Sequence, residues 1–141
     1  MSENPRRVEE CQPTLTEQDL DWLEHKLGYR LPAPLRVHYL LFNGGYLPEE
    51  QMERQRIAFG GFNPIRYGTL PAEQLYLDLV ESFPQLKGWF PFAYDQGGNC
   101  FLMDLDENRR PGKIRIWVMD GEELAEVTDT FDEFMAILHP V

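Results

Sequence analysis

Between Trp89 and Asp120 the chain joins an aromatic run to a hairpin signal. It runs Trp-Phe-Pro-Phe-Ala-Tyr-Asp-Gln-Gly-Gly-Asn, then Cys-Phe-Leu-Met-Asp-Leu-Asp, crosses a polar turn and returns as Lys-Ile-Arg-Ile-Trp-Val-Met-Asp. Trp89, Phe90, Phe92 and Tyr94 crowd large apolar side chains together, and each aromatic ring can bury about 150–250 Å². Gly97 and Gly98 permit positive φ and Asn99 tolerates it, which makes 96–99 a turn. The segments Cys100–Leu105 and Ile114–Met119 are rich in residues that suit a pleated, half-buried surface. Between them 106–112 is polar and punctuated by Pro111 and Gly112, the signature of a hairpin with a loop longer than the two-residue minimum. In the second strand Ile114, Ile116 and Val118 face one side, and Lys113, Arg115, Trp117 and Met119 the other. This hairpin is expected at the centre of a sheet, with Asp95 and the Gly-Gly-Asn turn at its mouth.

Helices frame it. Thr16 is an N-cap with Asp19 at N3, Leu15 and Leu20 form a hydrophobic staple, and Leu20, Leu23 and Leu27 recur on one face until Gly28 closes the helix. Pro34 fits the first turn of a second helix running to Phe42 and ended by Asn43-Gly44-Gly45, with Val37, Leu40 and Leu41 as its expected buried face. His38, among apolar neighbours, is expected to be packed or solvent-facing rather than a ligand. Residues 46–56 read as a polar loop, 57–59 and 65–67 as short strands with Gly60-Gly61 a turn or bulge between them, and 70–80 as a third helix stopped by Pro84. Leu124–Val127 is expected to pair antiparallel with Ile114–Met119 across the Asp120-Gly121 turn. A last helix opens on a Thr130/Glu133 capping box, carries the stripe Phe131, Phe134, Met135 and Leu138, and cannot extend past Pro140. Helices segregated around a run of strands read as α+β, here a single domain with a mainly antiparallel sheet, two N-terminal helices and one C-terminal helix. Residues 1–13 are expected as a mobile arm and 14–141 as the domain.

Composition narrows the function. At 141 residues the chain buries enough surface for one core without staples. Its two cysteines, Cys11 and Cys100, are too few for a disulfide framework, and a reducing cytoplasm is the expected compartment. No apolar window is long enough for a membrane span, and the polar opening Met-Ser-Glu-Asn-Pro-Arg-Arg is not expected to act as a signal peptide. A net charge of −11 argues against binding a phosphate backbone and favours encounter with a basic partner, although it also serves solubility alone.

The order of motifs carries a resemblance. Leu27-Gly28 followed by Leu31-Pro32, a helix ending Leu40-Leu41-Phe42-Asn43-Gly44-Gly45, the run Trp89 to Asn99, Gly112-Lys113-Ile114 with Trp117, and a final helix opening Thr130-Phe131-Asp132-Glu133-Phe134 resemble the SUKH superfamily. That group holds bacterial immunity proteins and relatives of the fungal cell-wall-assembly regulator. The resemblance spans nearly the whole chain after about residue 15, loosely between Tyr46 and Lys87. It implies an α+β fold and a non-enzymatic role, that of an immunity protein neutralising a cognate toxin domain such as a nuclease or deaminase by stoichiometric binding. A general interaction scaffold, as the fungal relatives suggest, is the alternative.

No cofactor or metal site is expected. Asp104, Asp106 and Asn108 begin a calcium-loop spacing, but Arg109 stands where Gly is needed and Arg115 where a bidentate Glu belongs. His25, His38 and His139 fall on three separate predicted helices, and no P-loop is present. A small hydrolase would need Asp95 and Asp104 to meet in space. The acidic residues Glu49, Glu50, Glu53, Asp104, Asp106, Glu107, Glu122, Glu123 and Glu126 fall mainly in loops and strand ends, where a shared face would cover a basic cleft on a partner. Trp117 and Tyr46 are candidate anchors, with burial in the core as the alternative for both. Asp95 and Asn99 form either a functional loop or a turn that bonds its own backbone.

Overall fold

The computed structural model describes residues 8, 11–48 and 58–138. Helices α1 (Glu17–Leu27) and α2 (Ala33–Leu41) come first, followed by strand β1 (Phe59–Phe62) and helix α3 (Ala72–Ser82). A 3₁₀ turn at Pro84–Leu86 leads into β2 (Trp89–Asp95), β3 (Cys100–Asp104), β4 (Ile114–Val118) and β5 (Glu123–Thr128), and α4 (Phe131–Leu138) closes the fold. The five strands pair in sequence order, every pair antiparallel, so β3 is central. This is the expected α+β architecture.

Local chemistry sets the helix ends. The Thr16 hydroxyl accepts from the Asp19 amide at 3.2 Å and the Asp19 carboxylate accepts from the Thr16 amide at 2.8 Å, a complete capping box in which the shorter Asp does the work of Glu. Gly28 ends α1 at φ 80°, donating to the Glu24 carbonyl. At α4 the Thr130 hydroxyl accepts from the Glu133 amide, while the Glu133 carboxylate returns to that hydroxyl rather than to the backbone.

The sheet is covered on both faces. Its inner face presents Phe90, Phe92, Phe101, Met103, Ile114 and Ile116 to the apolar stripes of α1, α2 and α4. Phe134 of α4 sits at the centre, its ring 5.2 Å from both Phe92 and Phe101. The outer face presents Trp89, Cys100, Leu102 and Trp117 to Leu79 of α3 and Leu86 of the 3₁₀ turn, a second, smaller core. The alternation expected of β4 holds: Ile114 and Ile116 point into the main core and Trp117 into the second one.

Four local expectations change. Trp89–Asp95 is a full strand beside β3, and its run of residues buried on both faces erased the alternation that marks a strand. The Gly60-Gly61 pair lies inside β1 at a register shift rather than between two strands, and 65–67 is not a strand; Ile57 lies outside the described residues. In α2 the buried residues are Leu35, His38 and Tyr39, whereas Val37 and Leu41 stand 57% and 64% exposed. His38 is packed among the rings of Tyr39, Phe42, Phe62 and Phe131. Asn43 does more than follow a helix end: buried, it donates to the carbonyls of Pro13 and Ile65 and accepts from the Ile65 amide, stitching three segments together. Beside it the Gln12 amide donates to the Asn43 carbonyl, which ties residues 12–13 to the fold.

The β1 glycines have a steric reason. A Cβ at Gly60 would stand 2.7 Å from the Tyr94 ring, and one at Gly61 2.6 Å from the Tyr94 hydroxyl. Gly61→Ala is therefore expected to lose about 1–3 kcal/mol by overpacking, read as a lower urea midpoint. An unchanged midpoint would show that the Tyr94 ring swings aside without loss.

Candidate partner-binding surface

The strand register divides the candidate residues between the two ends of the sheet. Asp104 stands opposite Trp89 at one end of the β2–β3 pair. Asp95 lies at the other end of β2, six residues and roughly 20 Å away at about 3.3 Å per residue. The two carboxylates do not form a dyad. Glu49, Glu50, Glu53 and His139 lie outside the described residues.

At the first end, the β3–β4 loop is held by Asp104. Only 2% exposed, it takes two bonds from the Arg109 guanidinium at 3.1 and 3.0 Å and accepts from the amides of Asp106 and Arg110. Arg109, the residue that breaks the calcium spacing, supplies the charge that the acidic loop requires. It also lies over the Trp89 ring at 5.3 Å, with Arg115 at the same distance. As a partner contact Asp104 is thus corrected: its carboxylate is consumed inside the fold. Asp106 and Glu107 line a groove of about 570 Å³ between this loop and the end of α1, with Asp21, Glu24, His25 and Arg30 opposite. Arg36 bridges Glu17, Asp21 and Glu24, and Arg109 approaches Asp106 at 3.9 Å. Lys113 and Arg115 likewise take up Glu126 and Asp129.

At the second end, Asp95 bonds its own turn. Its carboxylate accepts from the amides of Gly97 and Asn99 at 2.9 and 2.7 Å and from the Asn99 side chain at 3.0 Å. Asn99 in turn accepts from the Met119 amide at 3.0 Å, which clamps the β2–β3 turn to the β4–β5 turn. Asp95 and Asn99 therefore build the platform. Glu122 lies in that second turn with Asp120 and Glu123 opens β5 opposite Val118, and no described lysine or arginine pairs with any of the three. Trp117 is 1% exposed, in the second core 5.0 Å from the Phe83 ring, so as an anchor it too is corrected: α3 covers the face it points to. Tyr46 is 45% exposed and lies over Gly61 next to Tyr94. Met119, beside the Asp120-Gly121 turn, is 45% exposed. A smaller, mainly apolar cleft of about 340 Å³ opens on the inner side of this end, between Ile137 and Phe101, Ile116 and Val127.

Burial leaves a titration signature in the same strands. Desolvation, reinforced by nearby Asp95, pushes the Cys100 thiol up to about 11, and desolvation with a hydrogen bond to Tyr46 pushes the Tyr94 phenol up to about 12. Both groups keep their protons longer in the folded chain, so their contribution to stability is complete below the unfolded thiol range and is lost as pH rises through the folded values. The urea midpoint is expected to fall between about pH 8 and about pH 11, and Cys100→Ala to remove the lower part of that fall. A flat profile would contradict it.

Among the described residues, no group of three or more His, Cys, Asp and Glu side chains is placed to hold a metal, and no helix is long and apolar enough to cross a membrane. Comparison with curated proteins finds no relative of the chain. The profile of the SMI1 / KNR4 family (SUKH-1) matches residues 14–137, running from the α1 cap through the sheet to the last turn of α4. Since that match covers nearly the whole chain and follows its elements in order, the chain belongs to the SMI1 / KNR4 family (SUKH-1).

Proposed function

We propose that this protein is a non-catalytic immunity protein that binds a basic toxin domain in a stoichiometric complex and blocks it. Family membership supports a protein-binding role. The observation that carries the finer reading is the distribution of charge. With a net charge of −11, the chain pairs Asp104 with Arg109 at the β3–β4 loop, whereas among the described residues no lysine or arginine pairs with Asp120, Glu122 or Glu123 at the other end of the sheet. Unpaired surface carboxylates steer a cationic partner and speed encounter. The carboxyl groups that a hydrolase would use are engaged separately, Asp104 with Arg109 and Asp95 with its own turn.

The test is recovery of the partner. The tagged chain is expected to retain one basic protein at 1:1 from lysate of its source cells, with an association rate that falls as salt rises. Co-expression is expected to relieve that protein's toxicity. Several unrelated partners without toxicity would favour a regulatory scaffold instead. Turnover of a substrate abolished by Asp95→Asn without unfolding would overturn the non-catalytic reading.

A further inference from the structure

A sheet whose strands pair in sequence order has two edges, and here the two are finished differently. At β1 the edge is closed: three of its four residues are buried, the Phe62 amide donates to the Gly45 carbonyl at 2.9 Å, and Tyr46 lies over Gly61. At β5 it is open. None of the six residues of β5 is buried, and among the described residues no backbone hydrogen bond leaves it on the side away from β4. In an antiparallel edge strand every second residue turns its N–H and C=O to that side, where they are a template for another strand. The bulge of β5 falls at Val127, so residues 123–126 keep regular pairing with 115–118 and present a straight edge.

The inner side of this edge carries a second feature. Register puts Ala125 on the face of Ile116, the face that α4 packs, yet Ala125 is exposed. Beside it opens the mainly apolar cleft of about 340 Å³, which runs over Phe101 and Ile116, has Val127 of β5 as one wall and is bounded by Ile137 of α4. A free strand edge beside an apolar cleft that a helix bounds is suited to strand addition: main-chain bonds supply affinity, and the cleft takes up alternate side chains of the added strand.

We infer that β5 is a docking edge, and that its occupant is an extended segment of a partner protein with apolar side chains for the cleft and Lys or Arg at the flanking positions. The inference rests on the binding role proposed above and gives it a mode. Charge selects the occupant. The stretch 120–129 carries Asp120, Glu122, Glu123, Glu126 and Asp129 and no lysine or arginine. A second copy pairing antiparallel through β5 would set these carboxylates against one another, whereas opposite charges across a ladder stabilise it. An edge charged with one sign therefore rejects its own copy and admits a cationic strand. Glu126 already holds Lys113 and Arg115, so Glu123 is the carboxylate of β5 left for an incoming cation.

The probe is the capped peptide Lys-Lys-Val-Thr-Val-Thr-Lys-Lys, whose valines share one face, titrated into the isotope-labelled full chain. Saturable binding is expected, with exchange of the outward amides of 123–127 slowed about tenfold or more. Backbone pairing makes a further demand: amides of one parity face β5 and those of the other face away. N-methylation of both valines and N-methylation of both threonines must therefore differ, one weakening the peptide about tenfold or more and the other only slightly. Ala125→Lys, at the mouth of the cleft, is expected to weaken it about tenfold, while Glu107→Lys, a larger charge change in the groove beside α1, leaves it within about twofold. Both positions are exposed, and retained spectral dispersion verifies that each variant is folded. Equal tolerance of the two methylations, slowed exchange centred on α1 and the β3–β4 loop, or no saturation up to about 1 mM would overturn the docking edge. A free chain that dimerises with the β5 amides protected would overturn the choice of occupant. In each of these cases, recovery of a basic partner at 1:1 from lysate leaves the binding role standing at another surface, and failure of that recovery removes the role itself.

Discussion

Phe134→Ala is expected to lower the unfolding free energy by about 3–5 kcal/mol, the cost of removing a large buried ring whose site cannot collapse. Phe134 is fully buried and meets Phe59, Phe92 and Phe101, which belong to three different strands. None of those rings can follow a retreating side chain without breaking its own ladder, so the space stays open. A domain of this size is stable by only about 5–15 kcal/mol, and the loss is therefore a large fraction of the whole. Urea titration at fixed temperature reads it as a lower midpoint with an unchanged slope. Phe134→Leu, which keeps most of the volume, is expected to recover a good part of the loss. A cost below about 1 kcal/mol for Phe134→Ala would mean that α4 does not close the main core as described.

Asp104→Ala is expected to cost about 3 kcal/mol, toward the lower end of what breaking a buried ion pair removes. The carboxylate is buried while Arg109 is partly exposed, so the orphaned guanidinium can turn to water and the full desolvation penalty does not appear. What is lost is the anchor of the loop: the amides of Asp106 and Arg110 and two guanidinium bonds all converge on it. Amide exchange at 105–112 is expected to accelerate more than global unfolding explains, because this loop has no other buried carboxylate to hold it. Asp104→Asn keeps the shape and loses the charge, and is expected to fall between the two. Equal exchange in the variant and the parent chain would show that loop order does not depend on this side chain.

Both variants act on features that differ in how far the amino-acid order discloses them. Features written by neighbours in sequence were legible. The Thr16–Asp19 box, the Gly28 terminus, the β3–β4 hairpin, the return of β5 and the stripe of α4 depend on residues a few positions apart, and local stereochemistry settles them. The family, too, could be recognised from the order of such motifs. In α2, by contrast, Leu35, Val37, Tyr39, Leu40 and Leu41 lie on several sides of the helix, so apolar character alone could not say which side turns inward. That was decided by where the sheet and α4 stand.

The candidate surface divides in the same way. Sequence by itself determined the excess of negative charge, the turn chemistry of Asp95 and Asn99, and the alternation that sets Trp117 opposite Ile116. Only the tertiary structure decided that α3 covers the face to which Trp117 points, that Arg109 satisfies Asp104, and that Asp95 and Asp104 stand at opposite ends of one strand pair. Alternation specifies which residues share a face but not what packs on it, and charge composition specifies a sum but not its pairing. Pairing and cover are set by contacts between residues far apart in the chain, which exist only once the strands have taken their register.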